Sequence, residues 1–249
     1  MTSEQITENF FKIREEIRQC EKKSGRSENS VRLCAVSKFH PMEEVLSALK
    51  ANQILFGENR VQEAYKKFTD LNNYVAENNL NFKKELHIIG SLQTNKVKKA
   101  CEIASAIQSV DREELLAEIE KQSAKLNKNM EVFFELHTGE DSKSGYPSKD
   151  ALFLSAENIA SGKYPHIKLV GLMTMAPFSD NETLVRKSFS ELRSVRDELK
   201  VKFPELNANE LSMGMSGDFK IAIEEGSTMV RIGTALFGER DYNKVVSEN

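Results

Sequence analysis

The stretch that decides the fold is VRLCAVSKFHPMEEVLSALK, residues 31–50. It opens with a short apolar run, Val31 to Val36, which has the length and composition of a buried strand. Pro41 is suited to a first helical turn, and apolar side chains then recur at helical spacing: Met42, Val45, Leu46 and Leu49. The stretch therefore predicts a strand followed by an amphipathic helix.

The same strand-then-helix pattern recurs along the chain. Strand-like apolar runs lie at Val31–Val36, Ile54–Phe56, Leu86–Ile89, Ala106–Val110, Val132–Leu136, Ile167–Met173, Glu210–Met213 and Met229–Ile232. They recur roughly every 28 residues, close to the ~30 residues of a βαβ unit. This pattern predicts an α/β fold: a single (β/α)8 TIM-type barrel that takes up residues 1–249 as one domain. An open, doubly wound sheet is the alternative.

An additional amphipathic helix is predicted before the first strand. Its apolar face carries Phe10, Ile13, Ile17 and Cys20. We therefore expect the barrel to have an extra N-terminal helix.

Composition and charge argue against several classes of protein. The 249 residues include 35 Lys and Arg against 38 Asp and Glu, a net charge of −3, whereas nucleic-acid binders usually carry a basic domain or stripe. No apolar run is long enough to span a membrane, and the polar start Met1–Gln5 does not resemble a signal peptide. The three cysteines lack metal-ligand spacing. We expect a cytoplasmic protein without nucleic-acid or membrane partners and, since no long apolar helix face stands out, a monomer.

In a barrel of this kind, function belongs to the carboxyl ends of the strands. Lys38 follows the first apolar run almost immediately. A lysine that is desolvated there would be a nucleophilic amine, able to form a Schiff base with a carbonyl compound. The alternative is a surface lysine whose stem covers apolar neighbours.

Glycines and hydroxyls follow the seventh and eighth strands. The segment Ser212–Asp218, which includes Ser216, precedes a short predicted helix, and Gly233-Thr234 follows the last strand. Loops at these two positions form the usual phosphate site of the barrel, because glycine lets backbone N–H groups approach an anion. Tight turns with helix caps are the alternative.

Several other polar residues near the predicted strand ends admit more than one role. Arg231, inside the eighth strand, needs either a core carboxylate or a ligand as its partner, and Asn59 is similarly ambiguous. His87 and His137 are interpreted as strand histidines satisfied by hydrogen bonds, since no metal-ligand spacing surrounds them. Cys34 is interpreted as a small core residue.

The lysine and the two glycine-containing turns together suit a phosphorylated aldehyde. The turns would hold the phosphate and the lysine would bond to the carbonyl carbon. These residues favour pyridoxal 5'-phosphate as the ligand. The alternative is that the protein is an aldolase whose lysine forms a Schiff base with a sugar phosphate.

Around these residues the chain resembles the pyridoxal phosphate homeostasis protein family. The matching motifs are AVSK (35–38), FGENRVQE (56–63), IGSLQTNK (89–96), SVDR (109–112), GEDSKSG (139–145), GLMTM (171–175), LSMGMS (211–216) and GSTMVRIGTALFG (226–238). They occur in the family's order and span nearly the whole chain.

The resemblance implies a barrel like the N-terminal domain of alanine racemase, with pyridoxal phosphate held as a Schiff base on Lys38. It implies that Arg231 faces the pyridine nitrogen and disfavours its protonation. It further implies that Ser216, Gly233 and Thr234 hold the phosphate, and that Asn59 and Met213 belong to the same pocket. The family is thought to buffer or deliver vitamin B6 cofactor without established turnover, so apo-enzymes that use pyridoxal phosphate are the candidate partners.

Two departures from the family pattern concern loops. This chain has Leu136-His137-Thr138-Gly139-Glu140 where the family often has Asn-Thr-Ser-Gly-Glu, which leaves open the role of the loop Leu136–Gly145. Ser91 stands where His or Pro is more usual. Neither departure touches the lysine or the phosphate turns.

A pyridoxal-phosphate-dependent amino-acid racemase or lyase is the enzyme alternative. Two-base racemisation needs a second acid–base group opposite the lysine. In alanine racemase an added β-domain supplies that group, and we expect none here because the chain ends at Asn249. Tyr146, Tyr164 and Tyr242 would serve only if a loop folded over the rim.

Overall fold

The computed structural model describes residues 1–139 and 144–239. The strands are β1 (Arg32–Val36), β2 (Leu55–Glu58), β3 (Glu85–Ile88), β4 (Ala106–Val110), β5 (Met130–Glu135), β6 (Ile167–Met173), β7 (Glu210–Ser212) and β8 (Met229–Ile232). The helices are α1 (Ser3–Lys23), α2 (Met42–Lys50), α3 (Val61–Glu77), α4 (Val97–Ile103), α5 (Glu113–Lys125), α6 (Lys149–Ala160), α7 (Glu182–Lys202), α8 (Phe219–Glu224) and α9 (Thr234–Phe237). Short 3₁₀ turns lie at Thr94–Lys96 and Pro204–Leu206.

The eight strands of these described ranges form one closed, parallel barrel in chain order. β1 pairs with β2 on one side and with β8 on the other, so that Ala35 stands opposite both Phe56 and Ile232. Closure leaves the sheet without an edge. The predicted (β/α)8 barrel is therefore confirmed, and the open, doubly wound alternative is wrong.

Strand alternation divides the hydrophobic core into two parts. The smaller cluster lies inside the barrel and contains Cys34, Leu55, Ala106, Phe133, Val170, Met173 and Met229. The larger cluster lies between the barrel and its helices and includes the intervening residues Ala35, Phe56 and Val230. Cys34 is fully buried, as predicted, and burial raises the pKa of its thiol to about 12.

Helix α1 is the predicted N-terminal helix. A capping box between Thr2 and Gln5 starts it, because each side chain accepts a hydrogen bond from the other residue's backbone N–H. Its buried face packs against α2, α8 and α9. The Asn9 side-chain amide donates to the carbonyl oxygen of Leu236, 3.1 Å away, which ties α1 to the turn after β8.

Some strand ends differ from the sequence-based bounds. The second strand runs over Leu55–Glu58 rather than Ile54–Phe56, because Glu58 is buried and paired with Lys67 instead of lying in a solvated loop. The seventh strand stops at Ser212, one residue before the predicted end at Met213. Among the helices described here, none combines the length and the apolar character needed to cross a membrane.

Candidate functional site

The turn after β1 and the turn after β8 lie side by side at the carboxyl end of the barrel. Register pairs Ala35 with Ile232, so the residues that follow the two strands are neighbours. A Cβ atom placed on Gly233 would stand 3.2 Å from the carbonyl oxygen of Val36. Lys38, half-buried, follows two residues after Val36. The structure thus brings Lys38 and the Gly233-Thr234 turn to the same part of the rim.

The backbone that carries Lys38 is held in an unusual conformation. Phe39 has a φ of 67°, in the left-handed region that a bulky residue rarely adopts. Its N–H donates to Glu63 Oε1 at 2.6 Å, and the Arg60 guanidinium lies 4.7 Å from the centre of its ring. These contacts stabilise a turn that the chain would otherwise disfavour.

A buried cluster of charges supports the same turn from the helix side. Lys67 Nζ donates to the carbonyl oxygen of Ser37 at 2.8 Å, to Glu58 Oε1 at 2.9 Å and to Glu63 Oε1 at 3.0 Å. The Ser37 hydroxyl also donates to Glu58 Oε1, at 2.8 Å. Burial raises the pKa of Glu58, and the Lys67 ammonium opposes that rise. We call Glu58, Glu63 and Lys67 the charge clamp.

The charge clamp was not predicted from sequence. Glu58 and Glu63 lie in a quoted motif, and Glu63 and Lys67 stand four residues apart on α3. That spacing places both side chains on one helix face, and it is the feature of the sequence from which their ion pair could have been predicted.

Arg231 is a buried cation held by neutral groups. Its Nη1 donates to the carbonyl oxygen and the hydroxyl of Ser212, at 2.7 and 2.8 Å, and its Nη2 donates to the carbonyl oxygen of Thr174 at 2.8 Å. Within the described residues it forms no salt bridge, and its remaining N–H groups, on Nε and Nη2, have no partner. Burial lowers its pKa from the ordinary value. The sequence allowed either a core carboxylate or a ligand as the partner of Arg231. Among the described residues, no carboxylate forms an ion pair with it.

A polar layer lies beneath the mouth of the barrel. The Ser212 hydroxyl donates to Gln108 Oε1 at 2.6 Å, and Gln108 Nε2 lies 2.7 Å from His87 Nδ1. His87 is thus a buried, hydrogen-bonded strand histidine, as predicted. Burial lowers the pKa of His87 to about 3, so its ring is neutral near pH 7.

The loop after β7 is a sharp turn packed against α8. Gly214 has a φ of 98°, and a Cβ atom there would stand 2.6 Å from the Cβ of Ala222. The Met215 N–H donates to Asp218 Oδ1, and the Arg231 N–H donates to the carbonyl oxygen of Gly214. The loop is therefore fixed to β8 next to Arg231. Ser216, half-buried, lies within it, and Thr234 is exposed on the neighbouring turn.

Unpartnered polar atoms concentrate at the carboxyl ends of β2 and β5. Among the described residues, the buried atoms without a hydrogen-bond partner there are Glu58 Oε2, Asn59 Oδ1, Glu135 Oε2 and both ring nitrogens of His137. Buried polar groups in native proteins are almost always satisfied, so such a group of atoms indicates a place where a ligand or water binds. The prediction that His137 is a satisfied strand histidine is wrong, because β5 ends at Glu135 and the His137 ring has no hydrogen-bond partner among the described residues.

The side chain of Met213 lies away from the mouth of the barrel. Its side chain is fully buried and packs in the larger cluster between the barrel and the helices. Its backbone remains close to the site, since the carbonyl oxygen of the next residue, Gly214, accepts a hydrogen bond from the Arg231 N–H.

The loop Leu136–Gly145 is described in part, since residues 140–143 lie outside the described ranges. Thr138 Oγ1 lies 2.7 Å from Thr174 Oγ1 and 2.5 Å from Ser188 Oγ, which ties the loop to β6 and α7. The Ser144 hydroxyl donates to Glu135 Oε1 at 2.9 Å. The described part of the loop thus packs beside the mouth.

The tyrosines considered as acid–base groups are engaged on the helix side of the barrel. Tyr146 Oη donates to Ser155 Oγ at 2.9 Å, and Tyr164 Oη donates to Glu113 Oε1 at 2.5 Å. Tyr242 lies outside the described residues. In the described part of the chain, no group of three or more His, Cys, Asp and Glu side chains is arranged to hold a metal ion.

Comparisons with known proteins agree with this architecture. The sequence model of the family "Alanine racemase, N-terminal domain" matches residues 9–241. A pyridoxal phosphate homeostasis protein of Vibrio cholerae is 39% identical over 240 residues, which cover 96% of this chain and 98% of that protein.

Solved structures share the fold. PipY of Synechococcus elongatus, solved with pyridoxal phosphate bound, is 31% identical with a TM-score of 0.80, over 94% of this chain and 100% of that chain. Alanine racemase from Corynebacterium glutamicum, with 14% identity and a TM-score of 0.67 over 95% of this chain and 61% of that chain, shares the fold alone. With this barrel, this extent of match and this identity to curated relatives, the chain belongs to the pyridoxal phosphate homeostasis protein family.

Proposed function

We propose that this protein binds pyridoxal 5'-phosphate at the mouth of the barrel, as a Schiff base on Lys38, and takes part in intracellular vitamin B6 homeostasis by buffering or delivering the cofactor. The observation that carries the proposal is the environment of the Arg231 guanidinium. A buried guanidinium with neutral partners and two uncommitted N–H groups needs an acceptor from a ligand, because an uncompensated interior charge is costly. PipY, a relative solved with pyridoxal phosphate bound, supports the same choice of ligand.

The residues at the mouth fit this cofactor. Asn59 Oδ1 is buried and unpartnered, so it offers an acceptor toward the ligand. Gly233 leaves space against Val36 that a side chain would fill, and the hydroxyls of Ser216 and Thr234 add donors for a phosphate. We assign binding of the phosphate to Ser216, Gly233 and Thr234.

The remaining residues orient the cofactor. When bound, pyridoxal phosphate supplies an aldehyde that bonds reversibly to amines and a ring that withdraws electrons. Arg231 stays protonated and donates to the ring nitrogen, which disfavours protonation of that nitrogen and weakens the ring as an electron sink. Met213 contributes through its backbone and through packing behind β7. The charge clamp fixes the turn from which Lys38 extends.

A binding protein is favoured over a racemase or lyase. The curated relatives are named for cofactor homeostasis, and a ring nitrogen that faces arginine is poorly suited to stabilising a carbanion. Tyr146 and Tyr164, two candidates for a second base, donate to Ser155 and Glu113. We infer that apo-enzymes receive the cofactor.

We also propose that the protein is a cytoplasmic monomer. Its three cysteines are all unpaired thiols, which fits a reducing compartment. Light scattering coupled to gel filtration tests the monomer, and cell fractionation tests the location. A dimer mass, or recovery of the protein outside the cytoplasmic fraction, would contradict these two assignments.

Absorbance titration with pyridoxal phosphate tests the binding proposal. We expect a saturable visible band in the wild type, no such band in Lys38→Ala, and a weaker affinity in Arg231→Leu. Lys50→Ala is the matched control, because Lys50 is exposed at the end of α2 that leads into the start of β2, at the opposite end of the barrel. Saturation by a sugar phosphate but not by pyridoxal phosphate would instead favour the aldolase.

A deuterium-exchange experiment separates the carrier from the enzyme. The loaded protein is incubated with single-enantiomer amino acids in deuterated water, and α-deuterium incorporation is followed by mass spectrometry. We expect no incorporation above the level of free pyridoxal phosphate. Incorporation that disappears in Lys38→Ala would establish the racemase or lyase.

A further inference from the structure

A continuous hydrogen-bonded chain crosses the barrel interior beneath the candidate site. It runs from Arg231 on β8 to Ser212 on β7, then to Gln108 on β4 and to His87 on β3, with donor–acceptor distances of 2.8, 2.6 and 2.7 Å. The exposed fraction of these side chains is 4% for Arg231, 1% for His87 and zero for the other two. The other side chains that cluster inside the barrel are apolar or contain sulfur.

The hydrogen bonds from Arg231 to His87 all run in one direction, from donor to acceptor. Arginine only donates hydrogen bonds, so the Ser212 hydroxyl accepts from Arg231 and gives its single proton to Gln108 Oε1. That acceptor role fixes the amide of Gln108, whose Nε2 then donates to His87 Nδ1. His87 is neutral and can accept at Nδ1, because burial lowers its pKa to about 3.

Gln108 thereby controls the environment of Arg231 without touching it. Without the Gln108 acceptor, the Ser212 hydroxyl has no fixed direction for its proton and competes with the guanidinium for the same carbonyl groups. The orientation of Nη1 would then rest mainly on the Ser212 carbonyl oxygen. A buried polar chain of this length is less favourable than apolar packing unless every member is satisfied, which points to a role beyond filling space.

We propose that Gln108 is a positioning residue for the cofactor: through Ser212 it fixes the Arg231 guanidinium so that the free N–H groups on Nε and Nη2 face the mouth of the barrel. This inference rests on the proposed function, because it concerns the group that faces the pyridine nitrogen. Neither Gln108 nor His87 was assigned such a role from sequence.

The test replaces Gln108 with leucine, which has a similar volume and cannot accept from Ser212. Gln122→Leu is the matched control, since Gln122 is buried on α5 and donates to Glu118 there. Ser212→Ala, which removes a single oxygen atom and keeps the carbonyl contact, is the second variant in case Gln108→Leu fails to fold.

The readouts are the affinity for pyridoxal phosphate and the position and pH dependence of the bound visible band. We expect Gln108→Leu and Ser212→Ala each to weaken binding about tenfold, because the Arg231 guanidinium is no longer held in one orientation, and to shift the band, which a purely structural role would not do. Gln122→Leu should leave both unchanged. Wild-type affinity and an unchanged band in both test variants would overturn the proposal.

A second measurement keeps the inference separate from the proposed function. Nitrogen-15 spectra of arginine-labelled, cofactor-free protein report how freely the Arg231 guanidinium rotates. We expect restricted rotation in the wild type and faster rotation in Gln108→Leu. If the wild type binds no pyridoxal phosphate but shows this difference, the proposed function fails, while the finding that Gln108 fixes the Arg231 guanidinium stands. Equal rotation in both proteins would contradict the positioning role itself.

Discussion

Lys67 Nζ donates a hydrogen bond to the carbonyl oxygen of Ser37, 2.8 Å away, and Ser37 directly precedes Lys38. The same ammonium forms ion pairs with Glu58 and Glu63, of which Glu63 accepts from the N–H of Phe39. A buried ion group therefore holds the backbone on both sides of Lys38. The fold thus fixes the position of Lys38 through the backbone of its two neighbours.

Lys67→Met should destabilise the protein strongly. It leaves the Glu58 carboxylate buried without its cation, and breaking a buried pair in this way costs about 3–5 kcal/mol of unfolding free energy. Urea denaturation measures the loss. Lys66→Met, on the exposed neighbouring position of α3, should stay within about 0.5 kcal/mol of the wild type. Equal unfolding free energies for the two variants would show that the charge clamp does not support the fold.

Gly233→Ala should weaken binding of pyridoxal phosphate. The new Cβ would stand 3.2 Å from the carbonyl oxygen of Val36 and 3.3 Å from its Cβ, so the turn must move by a few tenths of an ångström. We expect an affinity loss of about tenfold, roughly 1.4 kcal/mol, measured by absorbance titration. Gly217→Ala is the matched control, because nothing lies within 4 Å of a Cβ there. If both variants bind equally well, close approach at Gly233 is not required.

Stability should fall in mild acid because of His87. Burial lowers its pKa from 6.5 to about 3, so below pH 6.5 the unfolded chain takes up a proton that the folded protein does not. From pH 7.5 to pH 5.0 this group should cost about 2 kcal/mol of unfolding free energy, at about 1.4 kcal/mol per pH unit below pH 6.5.

His87→Asn tests this dependence, since the asparagine oxygen can replace Nδ1 as the acceptor for Gln108 without titrating. Urea denaturation at both pH values should show that the variant loses less stability than the wild type on acidification. An identical loss in the two proteins would mean that His87 does not remain neutral in the folded state.

The barrel was predictable because its signal is local. Strands buried on both faces are continuous apolar runs, and the helices between them repeat at regular intervals, so neither depends on distant contacts. The end of β2 was misjudged for the opposite reason. Glu58 looks like a loop residue in the sequence, but its ion pair with Lys67 on the next helix and the hydrogen bond from the Ser37 hydroxyl hold it inside a buried strand.

The site was predictable only in part. Position after a strand end indicated Lys38 and Gly233, because a barrel gathers such residues at one rim. Arg231 was indicated by its charge inside an apolar strand, which requires a partner. The contact between Ser212 and Gln108 joins residues 104 positions apart, and no periodicity signals a pair at that separation. His137 was misjudged because it lies two residues beyond the end of β5: its backbone N–H donates to the carbonyl oxygen of Tyr146, but its ring nitrogens have no partner among the described residues.

Borohydride reduction followed by peptide mass mapping tests the central claim most directly. The purified protein is loaded with pyridoxal phosphate, reduced, digested and sequenced by mass spectrometry. We predict that the reduced pyridoxyl phosphate is attached to the peptide that contains Lys38 and is absent from the same peptide of the Lys38→Ala protein. An unmodified Lys38 in a fully loaded and reduced sample, or attachment to a different lysine alone, would contradict the account.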